Sequence, residues 1–327
     1  MEISLDKKMN SVLVTAIGSF SADIVIKKLK QMNFRVIGCD IYKKEWIADA
    51  NNVNKFYHAP YATDENKYIK FIQEVCKNEN IKYILPLTDV EVDVFNRNRE
   101  WFKKNDVCVC ISEKSTLDIC RNKKKIEEFI SQKLDIITIP TIMLEDLNEI
   151  KWEYPLVCKP YDGRSSQGLK YIYNEKEWVD FKDTVDHKKY LVQPFIQGDI
   201  VTVDVVCGKN TIVTIPRKEL LRTMNGAGTS VYVFRDHNLE IQCKKLAEIL
   251  NIVGCVNFEF IQDSDNNYHF IECNPRFSGG VEFSCIAGYD CVTNHIKSFI
   301  GKEIDELYLS HNMYIARKYE EYVTKVE

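Results

Sequence analysis

Residues 267–280, NYHFIECNPRFSGG, space Glu272, Asn274 and Arg276 two apart in what otherwise reads as a buried strand. Alternate side chains of a strand point to opposite faces, so these three share one face while Ile271, Cys273 and Pro275 take the other. Burying a carboxylate and a guanidinium costs several kcal/mol unless something pairs with them. The stretch is therefore either a solvated edge strand or a face that awaits a ligand or an ion. A second strand, CVNFEFI (255–261), puts Asn257 and Glu259 on one face in the same manner. A hairpin symmetric about the middle of DSDNNY (263–268) sets Glu259 opposite Glu272 and Asn257 opposite Asn274. Opposed like charges destabilise a sheet, a divalent cation resolves the conflict, and an all-oxygen donor set favours Mg²⁺ over zinc.

A magnesium ion held by few carboxylates keeps coordination sites for nucleotide phosphates. LVCKPYDGRSSQGL (156–169) has the residue types for phosphate binding: Lys159 on a strand that runs into a loop with Gly163, Ser165, Ser166 and Gly168. Small residues there let backbone N–H groups approach an anion, although a glycine hairpin with an exposed lysine gives the same pattern. Lys123 lies in a KKK run at the start of a helix, which by default is a solvated face.

The elements that must position these residues fall into two patterns. SVLVTAIG (11–18), a helix with Val25, Leu29 and Met32 at i, i+4, i+7 spacing, and FRVIGCD (34–40) form a β-α-β unit. A second helix (about 64–78) leads to YILPLTD (83–89), and a third (about 90–102) to VCVCIS (107–112), which predicts a doubly wound parallel sheet. AIGSFSADIV is not G-x-G-x-x-G, so a dinucleotide site there has only fold analogy behind it. Asp89 and Glu91 follow a strand end, where they either line the crevice or cap the next helix. After residue 115 come a helix over CRNKKKIEEFI (120–130) and then YLVQPFIQGDIVTVDVVCGKNTIVTIPRKEL (190–220), successive antiparallel strands with turns at Gln197–Gly198 and Gly208–Asn210. An exposed helix (about 238–251) precedes the charged hairpin.

The chain has 327 residues, 45% of them hydrophobic, a composition that predicts two or three packed units. A net charge of -4 without a basic block speaks against nucleic-acid binding. The 12 cysteines include no C-x-x-C, which favours reduced buried thiols and a cytoplasmic setting over a metal or disulfide framework. No apolar run approaches the roughly 20 residues that span a bilayer, and the polar MEISLDKKMN is no signal peptide. The six histidines are dispersed and motif-free.

The order of these pieces resembles the ATP-grasp superfamily, in particular one half of the carbamoyl-phosphate synthase large subunit, over nearly the whole chain. RNKKK resembles its D-K segment, LVCKPYDGRSSQG its phosphate-clamping strand and glycine-rich lid, and GCVNFEF with FIECNPR its metal-binding pair. The resemblance implies a pre-ATP-grasp domain (1–115), a small lobe with the lid (116–190) and a large lobe with the metal site (191–327). It implies that Lys123 and Lys159 bind ATP phosphates with Gly163, Ser165, Ser166 and Gly168. Glu259, Glu272 and Asn274 then bind Mg²⁺, with Mn²⁺ as the alternative ion, and Arg276 faces the reacting phosphoryl group. VQPFIQG corresponds to the hinge that holds adenine, with Gln193, Phe195 and Ile196 nearby. Relatives carry a ribose-binding glutamate where this chain has Ile200, so Asp199 is the substitute. PRKELLRTMNGAG (216–228) resembles the substrate-side segment, which makes Arg217 and Arg222 candidates for gripping a carboxylate or acyl phosphate.

The implied reaction is activation of a carboxylate by the γ-phosphate of ATP, followed by attack of an amine to give an amide, ADP and phosphate. It needs positioned cations but no protein nucleophile. Two alternatives stand beside it: a kinase of carbamate or bicarbonate, and a nucleotide-binding subunit without turnover. The implied partners are a small-molecule carboxylate and an amine, with a homodimer left open and no membrane.

Overall fold

A computed structural model describes residues 10–164, 166–224, 226–307 and 311–327. Three sheets divide them. The first has the parallel order β3-β2-β1-β4-β5, with β1 (Ser11–Thr15), β2 (Arg35–Asp40), β3 (Lys55–His58), β4 (Ile81–Leu85) and β5 (Cys108–Val109). Helices α1 (Ala22–Gln31), α2 (Glu65–Glu79), α3 (Asp89–Arg97) and α4 (Arg99–Lys104) connect its strands. The i, i+4 pattern of α1 buries Val25 and Leu29, while Met32 falls just past its end. What the spacing predicts as one helix over 90–102 is α3 and α4, separated at Asn98, whose side chain donates to the Val94 carbonyl and to Glu65. The expected helix over 120–130 is likewise interrupted. α5 (Lys114–Cys120) ends before Asn122, whose carboxamide accepts from Lys124 N and Lys125 N and starts α6 (Lys123–Ser131).

The second sheet has the order β6-β9-β7-β8, from β6 (Ile142–Met143), β7 (Leu156–Pro160), β8 (Lys170–Ile172) and β9 (Tyr190–Pro194), with α7 (Glu175–Thr184) between β8 and β9. The third has the order β14-β13-β10-β11-β12-β15. Its members are β10 (Asp199–Cys207), β11 (Ile212–Arg222), β12 (Gly228–Val233), β13 (Gly254–Gln262), β14 (Tyr268–Asn274) and β15 (Met313–Ala316). Helix α8 (His237–Ile249) covers one face of it, while α9 (Val281–Ile286) and α10 (Cys291–Phe299) follow the charged hairpin. The expected turn at Gln197–Gly198 is therefore a crossover between two sheets. Gly198 is needed there because a Cβ would stand 2.2 Å from the Gln262 carbonyl oxygen.

One apolar core joins the first and third sheets through α1, α9 and α10, and a second lies between α8 and the far face of the third sheet. The described cysteines are all free thiols, ten of them buried. No described helix is long and apolar enough to cross a membrane.

Candidate active site

The hairpin β13–β14 pairs Asn257 with Asn274, Phe258 with Cys273 and Glu259 with Glu272, the register that symmetry predicts at the charged end. Nearer the turn the pairing slips by one residue, Phe260 meeting Phe270, so Ile271 is an extra residue in β14. This β-bulge turns Ile271 onto the cavity side with Glu272 and Ile261, where strict alternation predicts the opposite face.

Asn274 Nδ2 donates to Glu259 Oε1 (3.3 Å), Glu272 Oε1 (3.1 Å) and Asn257 Oδ1 (3.2 Å). Three side-chain oxygens thus converge on one amide. With Asn274 rotated about its last torsion, Oδ1 would take the place of that amide nitrogen, and the all-oxygen set Glu259, Glu272 and Asn274 suits a hard divalent cation that keeps open positions. Among the described residues no group of three or more His, Cys, Asp or Glu forms a metal cage.

Two lysines lie in this charge field. Lys123 is buried at the first turn of α6, and its Nζ reaches Glu272 Oε2 at 3.0 Å and the Gly163 carbonyl at 2.6 Å. Burial pushes the Glu272 carboxyl up, but Lys123 and Lys159 outweigh it and hold the group well below the ordinary range. Glu259 goes the other way. Burial and the Glu272 charge raise it, and its ion pair is a loose 3.7 Å contact with Arg222. The two opposed carboxylates are therefore unequal, because Lys123 contacts Glu272 and not Glu259. Lys159, on β7, falls to about 8, because burial and Lys123 outweigh the attraction of Glu272 and Glu259.

Two cavities meet at this cluster. The smaller, 330 Å³, is lined by Lys123, Lys159, Gly163, Ser166, Gln193, Phe195 and Ile196, with Ile200, Ile261 and Ile271. Gln193 is buried and donates to Thr141 Oγ1 at 2.7 Å. The larger, 770 Å³, opens between the first and third sheets and is lined by Arg217, Arg222, Arg276 and the β4–α3 turn. Arg164, Ser166, Gln167, Arg222, Glu259 and Glu272 border both.

Several expected residues lie elsewhere. Asp199 points away from the smaller cavity and pairs with Lys218 at 2.9 Å, because alternation along β10 gives the cavity to Ile200. Gly168 lies outside both linings, and its φ of +75° turns the chain against Pro160 and Tyr190. Ser165 lies outside the described residues. Arg217 borders the larger cavity but is buried and committed, Nη1 to Asp204 (2.6 Å), Nε to Glu219 (3.2 Å) and Nη2 to Ser278 Oγ (3.0 Å). Arg222 keeps more freedom, bound through Nε to the Gly226 carbonyl at 2.8 Å.

Arg276 opens on the larger cavity rather than the smaller, and its Nη2 meets Asp89 Oδ2 at 2.7 Å across 187 positions of sequence. Arg121 lies 3.4 Å from the other Asp89 oxygen and holds Asp93 at 2.8 Å. Burial raises Asp89, yet Arg276 and Arg121 bring it below the ordinary range. Asp89 is thus the clasp between the first sheet and the charged hairpin. Its neighbour Glu91 accepts from Thr88 Oγ1 and Tyr68 Oη in the first turn of α3. The sequence reading missed Arg121 and Glu219. The i, i+2 spacing of Arg217 and Glu219 was the available signal for the second.

Two segments of this assembly are similar to known families. Family models match both parts: "ATP-grasp in the biosynthetic pathway with Ter operon" over residues 186–320, and the PylC-like N-terminal domain over residues 12–110. The carbamoyl phosphate synthase large chain of Agathobacter rectalis is 30% identical over 166 residues, 46% of this chain and 15% of that protein. The chain thus spans a small part of the curated relatives it matches. The biotin carboxylase domain of Hydrogenobacter thermophilus 2-oxoglutarate carboxylase, solved with MgADP, ADP and bicarbonate, superposes with a TM-score of 0.77 at 17% identity, covering 91% of this chain and 71% of that one. The L-amino acid ligase of Bacillus licheniformis superposes at 0.66 and 14% identity, covering 89% and 72%. At these identities the two structures establish the fold.

Proposed function

We propose that the chain is an ATP-dependent ligase that activates a carboxylate as an acyl phosphate, couples it to an amine and releases ADP and phosphate. The observation that carries this reading is the meeting of two cavities at Glu259 and Glu272. A nucleotide in the smaller one would bring its terminal phosphate to the boundary of the larger one, where a second reactant has room. Lys123, Lys159, Gly163 and Ser166 would hold the phosphates, and Gln193, Phe195 and Ile196 the base. Glu259, Glu272 and Asn274 would hold Mg²⁺, which neutralises charge on the phosphates when bound.

In the larger cavity Arg222 hydrogen-bonds only through Nε among the described residues and has a 3.7 Å contact with Glu259, which leaves it N–H groups for the carboxylate, while Arg276 is fixed by Asp89 at the cavity wall. Positioning and cationic charge are what phosphoryl transfer demands, so no protein nucleophile is required. Pockets of about 300–1,000 Å³ suit organic molecules, and 770 Å³ far exceeds a carbamate or bicarbonate ion. This favours an organic acid and an amine over the kinase alternative. The relatives' names support ATP-dependent carboxylate chemistry in general. The sheets support a division near residue 115, whereas β9 (Tyr190–Pro194) belongs to the second sheet and carries the second division from 190 to beyond Pro194.

The test is nucleotide chromatography after incubation with Mg·ATP and a panel of amino acids, with hydroxylamine as trapping nucleophile. ADP, phosphate and an acyl hydroxamate are expected. AMP with pyrophosphate, or no nucleotide consumed, overturns the reading.

A further inference from the structure

The floor of the larger cavity carries more negative charge than its own cations neutralise. On the cavity face of β10 and β11, the single guanidinium of Arg217 is shared between Asp204 and Glu219, and its remaining side is taken by Ser278. Arg222 leans toward Glu259, and Lys123 is engaged by Glu272. One negative charge in the Asp204–Arg217–Glu219 group therefore has no cation in contact among the described residues, Arg317 acting on Glu219 only at longer range. Two oxygens of the group, Asp204 Oδ1 and Glu219 Oε2, are buried without a partner among the described residues, and of the two residues Glu219 borders the cavity. Glu219 uses Oε1 for Arg217, whereas Oε2 is buried and has no hydrogen-bond partner among the described residues. The Glu219 side chain is 4% exposed and borders the cavity.

A buried carboxylate oxygen without a donor is destabilising, so such an atom in a cavity wall marks a place where a donor arrives from outside. The neighbouring strand β12 is shaped around it. Gly228 faces Glu219 so closely that a Cβ would stand 2.0 Å from Oε2. Any other residue there would displace the carboxylate.

We propose that Glu219 holds the ammonium group of the amine acceptor. This assignment rests on the ligase reading above. An ammonium group carries one positive charge and three N–H donors, which matches one negative charge without a contacting cation and one vacant acceptor. The site lies on the same strand face as Thr202 and Glu259, so an amine docked on Glu219 stands beside the junction where the acyl phosphate would form. Arg222 then serves the carboxylate and Glu219 the amine, which separates the two organic reactants by charge. Before attack the ammonium group gives one proton to the Glu219 carboxylate it docks on, which leaves the amine nitrogen its lone pair.

The test measures binding by calorimetry, in the presence of Mg²⁺ and a non-hydrolysable ATP analogue. The probes are the common amino acids, ornithine, putrescine and their N-acetyl derivatives, titrated into wild type, Glu219→Gln and Gly228→Ala. At least one free amine should bind wild type and lose affinity about 10-fold or more in Glu219→Gln, while its acetylated form binds neither. Gly228→Ala keeps every charge and moves the carboxylate, so it should show the same loss and still bind the nucleotide analogue. Equal affinity in wild type and Glu219→Gln, undiminished binding of the acetylated form, or no amine bound by wild type overturns the assignment. Hydroxylamine-trapped ADP release separates the two readings. Trapping without amine binding removes the Glu219 site alone, and amine binding without ADP release removes the ligase reading alone.

Discussion

Two carboxylate clusters in this molecule, one around Glu79 and one at Glu259 and Glu272, have opposite surroundings. Glu79, at the end of α2, receives Arg35 at 2.6 Å together with Lys55 and the Tyr57 hydroxyl, so two cations and a phenol serve one acid. Burial pushes it up, but Lys55, Tyr57 and Arg35 bring it down to about 2. At the cavity junction two glutamates share one close lysine, one amide and a distant arginine. The first cluster is complete within the fold. The second has acceptor oxygens and cationic N–H groups left over, and its geometry suits partners that arrive from solvent. Incomplete satisfaction, rather than charge or burial as such, separates the site from a structural ion network.

The sharpest break between the two regions is in turnover. Glu272→Gln should lower ADP release at least about 100-fold, as losing one charge-stabilising contact in such a site typically costs on the order of 3 kcal/mol. Glu79→Gln should leave turnover within about twofold. Near-normal turnover in Glu272→Gln would remove the hairpin from the chemistry.

The second contrast is in stability, measured by denaturant unfolding. Glu79→Gln should cost about 2 kcal/mol at pH 7, a charged hydrogen-bond network being cut. The folded-state value of Glu79 is depressed, so its contribution is present above about 4.5 and disappears as pH falls toward about 2. The deficit should narrow over that window, and a deficit constant with pH would contradict the ion network.

The two junction glutamates should also differ from each other in metal-free protein. Glu272→Gln strips Lys123 of its partner and should destabilise. Glu259→Gln should stabilise by about 1 kcal/mol at neutral pH. The folded-state value of Glu259 is raised above 4.5, so the native state holds its proton longer and stability falls as pH rises through that raised value. The substitution removes that fall, and identical unfolding curves for the two variants would erase the asymmetry.

The smallest expected effect is a fraction of a proton. Lys159 stands at about 8, and a polyphosphate beside it favours its charged form, so the nucleotide analogue should drive uptake of about half a proton at pH 8. Calorimetry in two buffers of different ionisation enthalpy measures this, and Lys159→Met should abolish it. Uptake unchanged in that variant would assign the proton to another group.

Much of this was legible because strand alternation and hairpin symmetry are local rules. They select Glu259, Glu272, Asn257 and Asn274, and the β-α-β rhythm selects the first sheet. The failures lie where a local rule is interrupted. Asn98 and Asn122 break helices whose apolar spacing reads as continuous, and the strand after Gln197–Gly198 leaves one sheet for another. Asp199 illustrates the same limit. A polar residue next to Ile200 invites substitution for a missing ligand, yet alternation along β10 turns it toward Lys218.

By itself, then, the amino-acid order determined which side chains share a strand face and which segments become strands or helices, since these follow from steric periods of two and 3.6 residues. The tertiary structure alone decided which charges are completed. Lys123 reaches Glu272 from α6, Arg276 finds Asp89 across 187 positions, and the bulge at Ile271 turns that residue onto the cavity side. Whether a buried charge is stable or reserved for a ligand depends on the distance and dielectric between groups far apart in sequence. Only packing sets those quantities, and it is packing that completed Glu79 and left Glu219 Oε2 without a partner.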